Sequence, residues 1–208
     1  MNDFVHLHIH SHYSLLNGLP KIPDLVLRAK KMGFKHLALT DYGSMYGIIE
    51  FYKECKGLEI NPILGFEAFV APEGADLGAA KEEGKAYHII LLAENYEGYK
   101  NLIKLSSWGH LHGFYKGVPR IDNKILKIYS TGVIGLSGCL DGELPHAMVS
   151  GVSPAEITRR ALEYKEIFGV NEAGEPKFYL ELQDHPERSG QFAANDELIK
   201  LSKKTGIP

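Results

Sequence analysis

Residues 5–12 read Val-His-Leu-His-Ile-His-Ser-His. Strict alternation of apolar and polar residues predicts a strand with two faces, Val5, Leu7 and Ile9 on one, His6, His8 and His10 on the other. Histidines two apart on a strand aim their imidazoles at a common point, and neutral imidazole is a favoured ligand for zinc and its neighbours. The competing reading is the solvated face of an edge strand. The wholly apolar opposite face and the polar turn that follows argue for ligands.

Working outward, Tyr13 to Lys21 reads as loop, with Asn17-Gly18 as a turn signal and Pro20 as a breaker. Pro23 and Asp24 open a helix whose apolar positions Leu25, Val26, Ala29 and Met32 recur at helical spacing until Gly33. The short apolar run from His36 to Thr40 predicts a buried strand of parallel type. Further helices are expected over 48–56, 96–108, 125–129, 155–168 and 196–204, and strands over 62–70, 88–93, 133–136 and 178–182. Segment 71–86 reads as an exposed, mobile loop, and the aromatic, glycine-rich segment 109–120 as irregular structure. Strands alternating with helices predict an α/β domain, a barrel or an open doubly wound sheet.

With 208 residues, 44% of them hydrophobic, the chain can bury one sizeable core. No window approaches the roughly 18 apolar residues a membrane span needs, and no signal peptide opens the chain, so a soluble, cytoplasmic protein is expected. Two cysteines, Cys55 and Cys139, fit a reducing compartment. A net charge of −3 argues against a general coat for nucleic acid. Gly206-Ile207-Pro208 follows a helix and reads as the approach to another strand, so the chain is expected to be a piece of a longer one.

In parallel α/β architectures function gathers at the C-terminal ends of strands. Those ends carry His8 and His10, then Thr40-Asp41-Tyr42, Glu67, Ser137-Gly138-Cys139, and the stretch from Glu181 to His185. Asp41 is equally readable as a helix cap or turn residue, and a lone Cys139 as an inert buried thiol. Glu67 lies between Phe66 and Ala68-Phe69, where an unpaired carboxylate is costly, so it needs a cation. If 63–70 and 88–93 form an antiparallel hairpin, His88 joins it. His110 and His112 fall in the aromatic segment and are weaker candidates. The chain has no Walker A loop, no Gly-x-Ser-x-Gly elbow and no GxGxxG after a strand. A carboxylate among several imidazoles suggests a multinuclear centre that activates water against a phosphoester.

His8-Ile9-His10-Ser11, Leu39-Thr40-Asp41-Tyr42-Gly43, Gly65-Phe66-Glu67-Ala68 and Tyr87-His88 resemble successive motifs of the PHP (polymerase and histidinol phosphatase) superfamily. The runs over 51–72, 88–115, 119–122 and 135–144 are similar, within it, to the N-terminal domains of bacterial DNA polymerase III alpha subunits. The resemblance spans essentially all of 1–208. It implies a distorted (β/α)7 barrel, cut at Pro208 before its last strand, with up to three metal ions in a cleft at the strand ends. His8, His10, Glu67, His88 and Cys139 match ligand positions. Asn17 and Tyr42 stand where the family commonly has Asp and His, and the final Asp-x-His lies past Pro208. Asn17, Tyr42 and that missing histidine serve one metal, which should be absent. The set of Glu67, His88 and Cys139 is complete and suits zinc; manganese is the alternative ion. Asp41 would support the ligands from behind.

The resemblance therefore implies a replication protein that docks a proofreading exonuclease and meets DNA through the rest of the polymerase, with no membrane role. The alternatives are an active metal-dependent 3′–5′ exonuclease and a stand-alone phosphatase of the histidinol phosphate type.

Overall fold

The computed structural model describes residues 4–71, 74 and 86–208. In chain order its elements are α1 (Ile22–Lys31), β1 (His36–Leu39), α2 (Ile48–Gly57), β2 (Asn61–Val70), β3 (Tyr87–Ala93), α3 (Tyr96–Leu111), β4 (Phe114–Tyr115), β5 (Val118–Ile121), α4 (Asn123–Ile128), β6 (Val133–Leu136), α5 (Glu143–Val149), α6 (Pro154–Phe168), β7 (Phe178–Tyr179) and α7 (Gln191–Thr205).

The long strand β2 organises the sheet. Its first half pairs in parallel with β1, Asn61–Leu64 against His36–Leu39. Its last residues, Phe69 and Val70, pair in parallel with Arg120 and Ile121 of β5. Along Gly65–Val70 it pairs antiparallel with β3, the hairpin expected from the sequence. Beyond β3 lie β6, antiparallel, and β7, parallel to β6.

Both faces of this sheet are buried. In β3, Ile89 and Leu91 pack outward under the helical layer that includes Leu102, Leu105, Ala161 and Phe168, while Ile90 and Leu92 pack inward with Ala38 and Leu136. That two-sided burial explains why β3 is a continuous apolar run rather than an alternating one. A separate outer core joins α1 and α2 to β1 through Val26, Phe51, Leu37 and Leu39. The sheet rolls far enough that His8, on the extended segment beside β1, touches Glu181 just past β7, with Nδ1 and Oε1 2.7 Å apart. A rolled sheet with a side-chain interior and helices outside is a distorted α/β barrel.

Residues 5–10 depart from expectation. They are extended but form no regular strand. Ala38 N–H donates to His6 O and Thr40 N–H to Ile9 O, so three steps on one chain match two on the other. The Thr40 hydroxyl fills in, accepting from Ile9 N–H at 2.9 Å and donating to Ile9 O at 3.0 Å. This extra residue breaks the two-face pattern, as a bulge does. Leu7 joins the barrel interior, Ile9 the outer core, and His6 packs on Phe34, away from His8 and His10.

Segment 109–120 is also more regular than expected. Helix α3 runs on to Leu111, and β4 and β5 form a hairpin turned by Lys116 (φ 48°) and Gly117 (φ 85°), the left-handed pair that tight hairpins require. Helix α5 was not anticipated, and α7 begins at Gln191, five residues before 196. Of the loop expected over 71–86, residues 72–73 and 75–85 lie outside the described residues.

Candidate metal centre

Glu67 points from β2 into the strand-end cleft and is fully buried. Its Oε2 lies 2.8 Å from His8 Nε2 and 2.6 Å from His10 Nε2, and its Oε1 lies 2.7 Å from His88 Nδ1. Burial alone would raise the Glu67 pKa, but the imidazole donors, His10 foremost, hold it far below the usual carboxylate range. The imidazoles respond in the opposite sense. Burial lowers His8, yet Glu181 and Glu67 raise it to about 10; burial lowers His88, yet Cys139 and Glu67 raise it to about 9.

Two overlapping groups share Glu67. The donor atoms of His8, His10 and Glu67 lie within 4.8 Å of one another, and so do those of Glu67, His88 and Cys139. Cys139 reaches the cluster through Gly138 (φ 76°), where a Cβ would meet the His88 carbonyl oxygen at 3.0 Å. Nitrogen, thiolate and carboxylate donors in two such sets fit a divalent transition metal.

The remaining predicted residues divide. Asp41 touches none of the five. Its buried carboxylate accepts from Ser11 N–H (2.6 Å), Ser11 Oγ–H (2.7 Å) and Ser14 Oγ–H (2.6 Å), tying down the segment that carries His8 and His10. Tyr42 is inside the site: its ring lies 4.1 Å from that of His10 and 5.5 Å from that of His88. Burial and the Glu67 charge push its phenol well above its ordinary pKa, so it stays neutral. Asn17 sits on the exposed rim with its amide turned to Leu15 O at 3.4 Å. His110 bonds Gly43 O instead of the cluster, and His112 caps α3.

Three further residues contribute: Glu181 and Gln183, inside the strand-end stretch 181–185 that the sequence offered without singling them out, and Arg188, outside it. Glu181 and Gln183 back His8, with Gln183 Nε2 donating to Glu181 Oε1 at 2.6 Å. Arg188 pairs with Asp141 beside Cys139 at 3.1 Å and holds the Asp141 carboxyl below its ordinary pKa despite burial. Only the position of Glu181 past a strand end signalled it; nothing in the sequence signalled Arg188. A cleft of about 330 Å³ opens onto the cluster, walled by His8, His10, Asn17, Tyr42, Cys139 and Arg188 among others.

A family profile described as PHP domain matches residues 6–185. The chain belongs to the PHP domain family. Among curated relatives, this PHP chain is 44% identical to DNA polymerase III subunit alpha of Borreliella burgdorferi over 99% of its own length and 17% of that protein's. It is 39% identical to the Helicobacter pylori subunit over 98% and 17%, and 38% identical to the Thermus aquaticus subunit over 98% and 16%. The PHP chain thus spans about a sixth of these relatives. A solved structure from Bifidobacterium adolescentis, described as a metal-dependent phosphoesterase, matches with a TM-score of 0.54 at 12% identity, over 98% of this chain and 84% of that one. That likeness supports the PHP-type distorted barrel as the fold. No helix among the described residues is long and apolar enough to cross a membrane.

Proposed function

We propose that residues 1–208 are the PHP domain of a bacterial replicative polymerase, the alpha subunit of DNA polymerase III, working in the cytoplasm in DNA replication. Its similarity to such subunits over 98–99% of its length supports this. Nucleotidyl transfer itself belongs to other parts of such a chain. The domain is a structural platform that docks a proofreading exonuclease and meets DNA through the full polymerase, and it keeps a reduced metal centre. The observation that carries the reduced centre is the place of Tyr42 and Asn17: a neutral ring packs on His10, and a neutral amide turns to its own loop.

In this reading His8, His10 and Glu67 would hold one ion, and Glu67, His88 and Cys139 would hold another, with zinc or manganese as the ion. Bound there, such an ion supplies Lewis-acid chemistry, activating water and neutralising phosphoester charge. The chain's own residues do the rest: Glu67 gathers the imidazoles, Asp41 fixes the loop that presents two of them, and the Tyr42 ring fills the space beside His10 and His88.

The second reading, a 3′–5′ exonuclease, is favoured by the open cleft with Arg188 at its wall. Elemental analysis of the full chain beside Glu67→Ala tests the centre. Zinc or manganese that disappears with Glu67 supports it, and hydrolysis of a generic phosphoester lost in the same variant would move the assignment to the exonuclease. Absence of metal from both proteins would leave the platform alone.

A further inference from the structure

We propose that Glu181 is a positioning residue that sets which nitrogen of His8 faces the metal centre; this rests on the metal reading above. His8 lies between two carboxylates. Its Nε2 is 2.8 Å from Glu67 Oε2, on the side where His10 also converges, and its Nδ1 is 2.7 Å from Glu181 Oε1 on the other side. A neutral imidazole carries one proton. It can offer the Nε2 lone pair to a cation only when that proton sits on Nδ1, and a proton held there needs an acceptor. Glu181 Oε1, at 2.7 Å, is that acceptor; Gln183 Nε2 also lies 3.1 Å from Nδ1, but its shorter contact, 2.6 Å, is the hydrogen bond it donates to Glu181 Oε1.

The surroundings of Glu181 suit the role. Its backbone N–H donates to Ser137 Oγ at 2.9 Å, which ties the residue to the end of β6. The Gln183 amide donates to the same Oε1 that faces His8, and this fixes the carboxylate's rotation. The Glu181 side chain is only 12% exposed. Its other oxygen, Oε2, is buried without a hydrogen-bond partner among the described residues. A buried carboxylate oxygen left unbonded costs stability, so packing does not explain this group; its contact with His8 does. The pair formed by His185 and Glu187 makes the contrast, since at 50% and 69% exposure it is an ordinary surface contact.

Each imidazole is then aimed by a different device. Glu181 orients His8, the Tyr42 ring flanks His10, and the strand pairing of β2 with β3 aims His88 Nδ1 at Glu67. Among the described residues, only His8 meets a second carboxylate on its other ring nitrogen, reached from the far end of the strand order. That closure of the barrel thereby presets one ligand.

The test is zinc affinity of the full chain, by competition with a chromophoric chelator, for the wild type, Glu181→Gln, Glu181→Asp and Glu187→Gln. Substitution with Co²⁺ adds a thiolate absorption band that reports the Cys139 side. The amide of Glu181→Gln can turn its NH₂ toward Nδ1 and favour the wrong tautomer. Zinc binding at the His8 side should weaken about 10- to 100-fold, with the Cys139 band retained, Glu181→Asp recovering most of the loss and Glu187→Gln unchanged. Should Glu181→Gln not fold, Gln183→Leu should give a smaller loss in the same direction. Unchanged affinity in Glu181→Gln overturns this inference and leaves the metal reading standing. Equal loss in the Gln and Asp variants, together with loss of the thiolate band, marks a general disturbance and overturns it too. A wild-type chain that takes up no zinc overturns both.

Discussion

The two sides of Glu67 are built in different ways. On one side His88 belongs to β3, paired along its length with β2, and Cys139 follows β6 through a glycine turn. On the other, His8 and His10 sit on a segment with two backbone hydrogen bonds to β1 and its edge, and their placement is delegated to side chains: Thr40, Asp41 and Glu181. A ladder places donors as a consequence of the fold. Side-chain anchors place them only while each anchor is intact. The first side should therefore tolerate substitution at a distance, and the second should not.

Glu67→Ala is the substitution both sides share and should have the largest effect. Removing one partner of a buried ionic cluster costs about 3–5 kcal/mol, here with three imidazoles left facing one another. Metal should vanish from both positions. Denaturant unfolding of the metal-free protein together with metal analysis checks this, and a variant as stable as wild type would mean that the cluster is not ionised as described.

Asp41→Asn separates the two sides. It keeps the shape but exchanges one acceptor oxygen for an amide, so the Ser11 and Ser14 bonds can no longer all form; the expected loss is about 2–3 kcal/mol. Affinity at the His8 and His10 position should fall while the Co²⁺–thiolate band from Cys139 persists. Loss of that band as well would show that the two sides are one cooperative unit.

The same contrast governs what could be read from the sequence. His8, His10 and Glu67 were legible because alternation and an isolated carboxylate in an apolar strand are local signals. His88 was legible through the hairpin, which two neighbouring apolar runs predict. The bulge-like slip between residues 6–9 and 38–40 was not, because it depends on the Thr40 hydroxyl bonding a distant backbone. Nor was the partnership of Glu181 with His8, 173 positions apart, which exists only once the sheet has rolled. The β4–β5 hairpin did carry a signal in Lys116-Gly117, masked by the aromatic residues around it.

The pH dependence of the metal-free protein should expose the cluster next. His8 and His88 have folded pKa values of about 10 and about 9, above their ordinary 6.5. Their stabilisation is therefore fully present below pH 6.5 and is lost as pH rises through 9 and then 10. Glu67 is depressed below 4.5, so its contribution is present above that value and is lost as pH falls through its low folded pKa. Stability should peak between about pH 4.5 and 6.5 and decline into the alkaline range. Saturating metal should remove the alkaline decline, because the ion takes the place of the protons. A thermal-melting series across pH, with and without zinc, reads both limbs.

The smallest effect is expected from rebuilding the position that Tyr42 and Asn17 leave neutral. Tyr42→His places an imidazole beside His10, but it removes a ring tilted against His10 and stacked on Phe69, worth about 1 kcal/mol. Asn17→Asp adds a carboxylate on an exposed rim next to Leu16, which already holds a left-handed backbone (φ 68°). Two new ligands, one of them on a loop that must be ordered on binding, should yield weak extra uptake of manganese in the double variant, less in Tyr42→His alone and none in Asn17→Asp alone. The order matters more than the amount. His10 and Tyr42 are already in contact, so position 42 can act without 17, whereas position 17 needs a partner in the cleft. Equal uptake by the two single variants would mean that positions 17 and 42 do not belong to one metal position.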